Sequence, residues 1–430
     1  MKVIVANYRF FIAGGPERYM FRFMTAAERA GMEVIPFSVS NARNEKTEFA
    51  RYFAKPRADA LLYADTRFSW KNLYGVVRAT VWNLDAARRL KRLIRDTKPD
   101  AVYILHEINH LSPSIIRAAK QEGVRVVHRI SDFFLFCARY DFLCGEEICE
   151  ACLHGTYRYA LRRRCVKQSL TGTCLRVFAM KLYQWNRVFE DVDLFVTPSA
   201  FTKKKLVEGG IPEEKIVHVP TFIDSRAITP RFTHEKYFLF LGRMTKQKGT
   251  IYAIQAMRAL KEKGYVLKIT GTLSDSGEDQ ELKSYIEKYH LEDYVLFTGF
   301  LKGKELEEII ARATCVVCPA IWYENMPNTV LEAYAYGKPV VASHIGSLTE
   351  LVEHGVTGFL FPPKDSRNLA EQLEKFIKDE KLSEKLGKNA RKKCETEYNE
   401  AIHIEKVAAC LRGKQEIHDS GQDDMFIVNL

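Results

Sequence analysis

No stretch of this chain approaches the ~20 consecutive apolar residues that a membrane-spanning helix needs. The opening MKVIVANYRF carries too short an apolar run for a secretory leader and reads as a first strand. The expected compartment is therefore the cytosol. The glycine spacing of a dinucleotide fingerprint is also missing. After the first strand comes AGGPERYM, a Gly pair without G-x-G-x-x-G, which disfavours an NAD-type dehydrogenase. Neither paired zinc fingers nor an aromatic RNA-binding signature is present, so nucleic acid is excluded as the expected partner. Acidic residues are absent from 157–187, where eight basic residues alternate with Leu, Phe, Tyr, Met and Trp. Cysteine is sparse except in one segment: six of the ten lie between residues 137 and 174.

What is present is the composition of an ordinary globular protein, 47% hydrophobic and 28% charged over 430 residues, enough for two or three cores. The net charge of +11 is lopsided. Residues 1–224 hold 36 Lys and Arg against 24 Asp and Glu, and the remainder holds 29 against 30. The basic half points to an anionic substrate or an anionic membrane surface. Short buried strands alternate with helical segments throughout, at about 2–6, 32–39, 101–105, 124–129, 193–197 and 216–219, then at 237–241, 266–270, 295–298 and 314–318. That is the pattern of doubly wound parallel sheets, whose ligands lie at the carboxyl ends of the strands.

The most informative stretch is 322–358, WYENMPNTVLEAYAYGKPVVASHIGSLTELVEHGVTG. It reads as loop, helix, turn, buried strand, Gly-containing turn and second helix. Pro327 suits a first helical turn, where its missing N–H has no intrahelical partner, and Gly337 with Pro339 ends the helix. Glu324 precedes the helix and Glu332 lies one turn inside it. A helix start offers unpaired N–H groups to a phosphate, and glutamates beside it accept hydrogen bonds from sugar hydroxyls. The plainer alternative is that both carboxylates only favour the helix dipole. A second motif, GRMTKQKG, follows the strand at 237–241 and places Gly242, Arg243 and Lys248 in a loop before a helix. Two cations there would neutralise a diphosphate as it becomes a leaving group. Gly14 and Gly15, between the first strand and first helix, let backbone N–H groups come close to a phosphate.

Together these motifs resemble those of family 4 glycosyltransferases, retaining enzymes of the GT-B fold. The resemblance covers the second half well and the first half through its order of elements and short motifs. It implies two Rossmann-like domains across a cleft: 1–224 for the acceptor, a linker at 225–236, and 237–398 for the nucleotide sugar. A helix at 399–412 would cross back to the first domain, ahead of a polar tail at 413–430. The implied donor is a UDP- or GDP-sugar. Glu332 would read the ribose and Glu324 the sugar. Backbone N–H groups of Asn325, Met326, Asn328, Thr329 and Val330 would contact sugar or phosphate. Arg243 and Lys248, with Gly242 beside them, would hold the diphosphate while Gly14 and Gly15 close on it. No metal is required for catalysis in that family. A DxD at Asp191-Val-Asp193 is expected about once by chance and is set aside.

Where the family carries a His-Asp pair after the fourth strand, this chain has Ser131-Asp132, which keeps Asp132 as a catalytic-side candidate and leaves His128 as a strand residue. The Cys-rich basic insertion, about 137–187, has two readings. Cys149-x-x-Cys152 with Cys165 and Cys137 or Cys144 would hold a structural zinc; otherwise the thiols stay reduced and unligated. Its basic, apolar-interleaved part either packs as a solvated helix or lies on an anionic bilayer at the inner face of the membrane. The expected acceptor is a saccharide or lipid-linked glycan in surface polysaccharide or glycoconjugate synthesis. The competing reading is a non-catalytic nucleotide-sugar-binding or scaffold subunit.

Overall fold

The structure, a computed structural model, describes residues 1–56, 81–108, 110–272 and 278–413. The polar tail expected beyond residue 413 and most of the loop after Thr270 lie outside the described residues.

Two six-stranded sheets organise the chain. The first is built from β1 (Lys2–Asn7), β2 (Glu33–Phe37), β3 (Ala101–His106), β4 (Arg125–Arg129), β7 (Leu194–Thr197) and β8 (Ile216–His218), in the order β2-β1-β3-β4-β7-β8. Each of its pairings is parallel. The second contains β9 (Tyr237–Leu241), β10 (Val266–Thr270), β11 (Val295–Gly299), β12 (Cys315–Cys318), β13 (Val340–Ser343) and β14 (Gly358–Phe361), in the order β11-β10-β9-β12-β13-β14. It too is parallel throughout. Between the two halves of the first sheet's sequence sits a small antiparallel hairpin, β5 (Leu143–Cys144) with β6 (Glu147–Ile148).

The near-continuous apolar strands follow from burial on both faces. Side chains alternate across a strand, so Ile4 and Ala6 enter the core on one face while Val3 and Val5 enter the other. In β9, Phe238 and Phe240 divide from Tyr237 and Leu239 in the same way. Each sheet therefore carries two cores and is covered by helices on both sides. This is the GT-B arrangement.

The last described helix, Glu400–Arg412, returns to the first sheet. Ile404, Val407, Ala408 and Leu411 join the core containing Tyr19, Phe23 and Tyr103. His403 is buried there, and desolvation holds its pKa down at about 3. The ring is thus neutral: Nδ1–H donates to the Pro220 carbonyl at 2.6 Å and Nε2 accepts from the Tyr19 hydroxyl at 2.9 Å. Among the described residues no helix is long and apolar enough to cross a membrane.

Candidate active site

Parallel sheets deliver their loops to one end, and the two sheets present those ends to each other. On the second-domain side, the strand β9 runs into Gly242 and Arg243, and a short 3-10 turn at Lys246–Lys248 leads to the helix Thr250–Leu260. Gly249 closes that turn with φ 68°, and a Cβ at this position would stand 1.8 Å from the Pro319 carbonyl oxygen. Only glycine fits, and the tight turn aims Lys248 inward. Its Nζ lies 2.7 Å from Glu324 Oε1. The same carboxylate oxygen accepts from Trp322 Nε1 at 2.6 Å. Ser347 fixes the Glu324 backbone by donating to its carbonyl at 2.7 Å. Glu324 is 7% exposed, so a charge there needs its cation and its indole donor.

Glu332 projects from the helix Asn328–Ala335 and is 8% exposed. It meets two arginines from the other domain: Arg18 Nη1 at 3.5 Å and Arg22 Nη2 at 3.3 Å. Both arginines ride on the first helix, Gly15–Arg29. Gly15, at its start, faces the start of the second-domain helix so closely that a Cβ would lie 3.3 Å from Asn328 Nδ2. Asn328 Oδ1 and Arg22 Nη1 are buried with no hydrogen-bond partner in the protein. Polar atoms in that position are the ones a bound ligand satisfies.

Asn325 ties the cleft shut at its floor. Its Nδ2 donates to the Ser131 carbonyl at 2.6 Å and its Oδ1 accepts from Thr202 Oγ1 at 2.8 Å. Met326 Sδ accepts the Thr221 N–H at 3.0 Å. Thr329 Oγ1 donates to the Leu241 carbonyl at 3.3 Å, and the Val330 N–H is engaged by the Pro327 carbonyl at 3.1 Å. Val330 is thus used within its own helix start, whereas Asn325 and Asn328 front the cleft. Arg243 is exposed at the mouth, its charge close enough to the Tyr140 hydroxyl of the first domain to lower that phenol's pKa against burial.

Asp132 lies across from this group. Its Oδ1 accepts the Phe134 N–H at 2.9 Å, and its Oδ2 stands 3.3 Å from His106 Nε2. His106, at the carboxyl end of β3, went unnoticed in the sequence because attention falls on the segment after β4. The strand-end rule alone would have found it. Burial works against charge on His106, but the hydrogen bond and charge of Asp132 outweigh it, so its pKa is raised. Tyr8 packs edge-on against this ring at 4.9 Å, and burial pushes its phenol up to about 12. His128 is buried within β4 and pairs with buried Glu107 at 3.1 Å.

Residues 13–226 match the family model "Glycosyltransferase Family 4", and residues 222–393 match "Glycosyl transferases group 1". The chain belongs to glycosyltransferase family 4. Among curated relatives, this family 4 chain is 30% identical over 234 residues to the amylovoran biosynthesis glycosyltransferase AmsK of Erwinia amylovora, covering 52% of this chain and 57% of AmsK. It is 26% identical over 343 residues to spore coat protein SA of Bacillus subtilis, covering 68% and 86%. AmsK is one of several relatives of which the chain spans less than three fifths of the length. The fold is shared with Anabaena HepE solved with UDP and glucose: TM-score 0.66, 16% identity, 96% of this chain and 100% of that one. Sucrose-phosphate synthase of Thermosynechococcus elongatus superposes with a TM-score of 0.70 at 18% identity, over 96% and 98%.

Proposed function

We propose that this protein transfers a sugar from a UDP- or GDP-sugar to a saccharide or lipid-linked acceptor, with retention of configuration, in surface polysaccharide or glycoconjugate synthesis. The observation that carries the reading is the meeting of Lys248 with Glu324 beside a helix start whose Glu332 faces Arg18 and Arg22 across the cleft. Each of the two carboxylates has a cation within 3.5 Å, which matches a diphosphate flanked by hydroxyl-bearing rings. Lys248 and Arg243 stabilise charge on the departing diphosphate. Glu324 accepts from the transferred sugar and Glu332 from the ribose. Gly14 and Gly15 bring the first domain's backbone close to the phosphates. The acceptor hydroxyl attacks from the leaving-group face, and the departing phosphate takes its proton, so no protein base or metal is required. Asp132 with His106 borders the transferred sugar on the acceptor side. The likeness to AmsK, an amylovoran biosynthesis glycosyltransferase, and to HepE, solved with UDP and glucose, supports this direction.

Membrane contact belongs to the same proposal. The helix Leu170–Trp185 exposes Leu170, Phe178 and Trp185 on one side, at 48%, 59% and 87%, with Lys181 among them and exposed arginines 162–164 preceding it. An apolar stripe with basic flanks suits the surface of an anionic bilayer at the inner face of the membrane. Co-sedimentation with vesicles should rise with their anionic lipid content; binding that ignores lipid charge contradicts it. For the reaction itself, incubation with a panel of UDP- and GDP-sugars plus acceptor should release nucleoside diphosphate from at least one. Binding without consumption of any would instead mark a non-catalytic subunit.

A further inference from the structure

The insertion between β4 and β7 packs Phe134, Phe142, Leu153, Ala179 and Tyr183 into a core of the first sheet. Its outer part has a small cluster of its own, Ala138, Cys152, Tyr157, Ala160 and Met180, with Cys165, Val166 and Val177 packed at the edge. Five thiols, those of Cys137, Cys144, Cys149, Cys152 and Cys165, line a single cavity inside it.

The chain folds tightly around these sulfurs, with the Tyr140 N–H donating to the Cys137 carbonyl at 3.0 Å. Tyr140 and Phe142 adopt φ of 69° and 49°, a left-handed conformation uncommon for aromatic residues, which turns the chain around Cys137. Arg163 Nη1 donates to Cys149 Sγ at 3.4 Å. Neutral thiols are weak acceptors, and a guanidinium donating to sulfur suits a thiolate bound to a cation. Among the described residues no three His, Cys, Asp or Glu side chains yet form a metal-holding group. Rotation about Cα–Cβ of cavity-lining cysteines is the change that ligation adds.

We propose that Cys137, Cys149, Cys152 and Cys165 bind one zinc ion as a tetrahedral thiolate site, and that this site braces the two domains. Cys149-x-x-Cys152 supplies the close pair, and Cys137 and Cys165 come from either side of it in sequence. Cys144 lines the same cavity from the hairpin strand but is only half-buried where Cys137 is buried, so Cys137 is taken as the fourth ligand and Cys144 stays outside the set. The hairpin beyond the site reaches the other domain: Glu147 pairs with Lys364 at 2.6 Å. Glu150, between the two close cysteines, pairs with Lys205 at 2.8 Å, and the Lys205 ammonium lies 5.9 Å from the centre of the Tyr323 ring. Tyr323 is the neighbour of Glu324, and its ring packs against Phe142 and Phe201. Metal at the cysteines thus fixes the platform on which the loop carrying Glu324 rests.

The test is metal analysis of the full chain, purified under reductant from zinc-supplemented medium, which depends on no catalytic readout. About one zinc per chain is expected, with tetrahedral thiolate absorption on cobalt substitution. Cys149→Ser and Cys165→Ser should lose the metal and Cys144→Ser keep it. If the serine variants do not fold, the wild type still decides: a thiol reagent should leave four cysteines of the insertion unmodified until a chelator is added. Chelation should then open 137–187 to protease. A folded wild type with far less than stoichiometric zinc, disulfides among these cysteines, or loss of metal in Cys144→Ser overturns the proposal. None of these outcomes bears on donor binding, which is judged separately.

Discussion

Lys248 Nζ lies 2.7 Å from Glu324 Oε1, 76 positions further along the chain, with Trp322 Nε1 on the same oxygen. The lysine thereby orients the carboxylate and stands ready to meet a diphosphate. Lys248→Ala should lower turnover by about 10²–10³ while the fold persists, since a preorganised charge in a dry site is worth that much. Steady-state rates alongside a melting curve check it. Near-normal turnover would remove Lys248 from the mechanism.

Glu332 is held by Arg18 and Arg22 from the opposite domain. If ribose hydroxyls take their place on the carboxylate, Glu332→Ala loses charge-assisted hydrogen bonds of about 1.5–3 kcal/mol. Donor Kd should weaken by roughly tenfold to a hundredfold, with kcat changed far less. Titration calorimetry with the consumed donor measures this.

The pairing of His106 with Asp132 makes a pH-dependent prediction. The folded pKa of His106 is raised, so the native state holds its proton more tightly than the unfolded chain. The stabilisation is complete below the unfolded value of about 6.5 and fades as pH rises through the raised folded pKa. Asp132→Asn should therefore cost about 1–2 kcal/mol in mildly acid solution and progressively less in alkaline solution. Denaturant melts at several pH values test the sign. A gap that widens with pH would contradict the pairing.

Gly249→Ala should destabilise the second domain by about 2 kcal/mol or more, because the backbone there is left-handed and the added Cβ meets the Pro319 carbonyl. Activity should fall with it, as Lys248 is the preceding residue. Gly264→Ala, also at positive φ but with nothing within 4 Å, should cost less.

Much of this was legible in the sequence, for physical reasons. The strands at 237–241 and 266–270 could be read residue for residue because buried parallel strands are short, mostly apolar and bounded by polar or glycine turns; Lys268 is the one charged residue in either. A serine ahead of a helical run is a cap signal, and Ser199 meets it: its hydroxyl accepts the Thr202 N–H at 3.1 Å. The buried strand after Gly337 and Pro339 starts at Val340, and Lys338 ahead of it is drawn inward to donate to the Thr233 carbonyl at 2.9 Å. Local pattern says nothing of such long-range ties. The same holds for Arg18 and Arg22, which read as the polar face of a surface helix until the second domain arrives opposite them. His106 was hidden by its place in an apolar strand, and the split of 157–187 into helices at Arg158–Arg163 and Leu170–Trp185 was masked by uniform basicity.

The central claim is that the cations of one turn and the acids of another surround a single activated sugar. Diffraction from crystals grown with the consumed nucleotide sugar tests it most directly. The account predicts the diphosphate against Arg243 and Lys248, the ribose hydroxyls on Glu332 and the sugar on Glu324, with Gly15 closing from the opposite domain. A donor bound elsewhere on the molecule, or lying in the cleft with its diphosphate away from both cations, would contradict it.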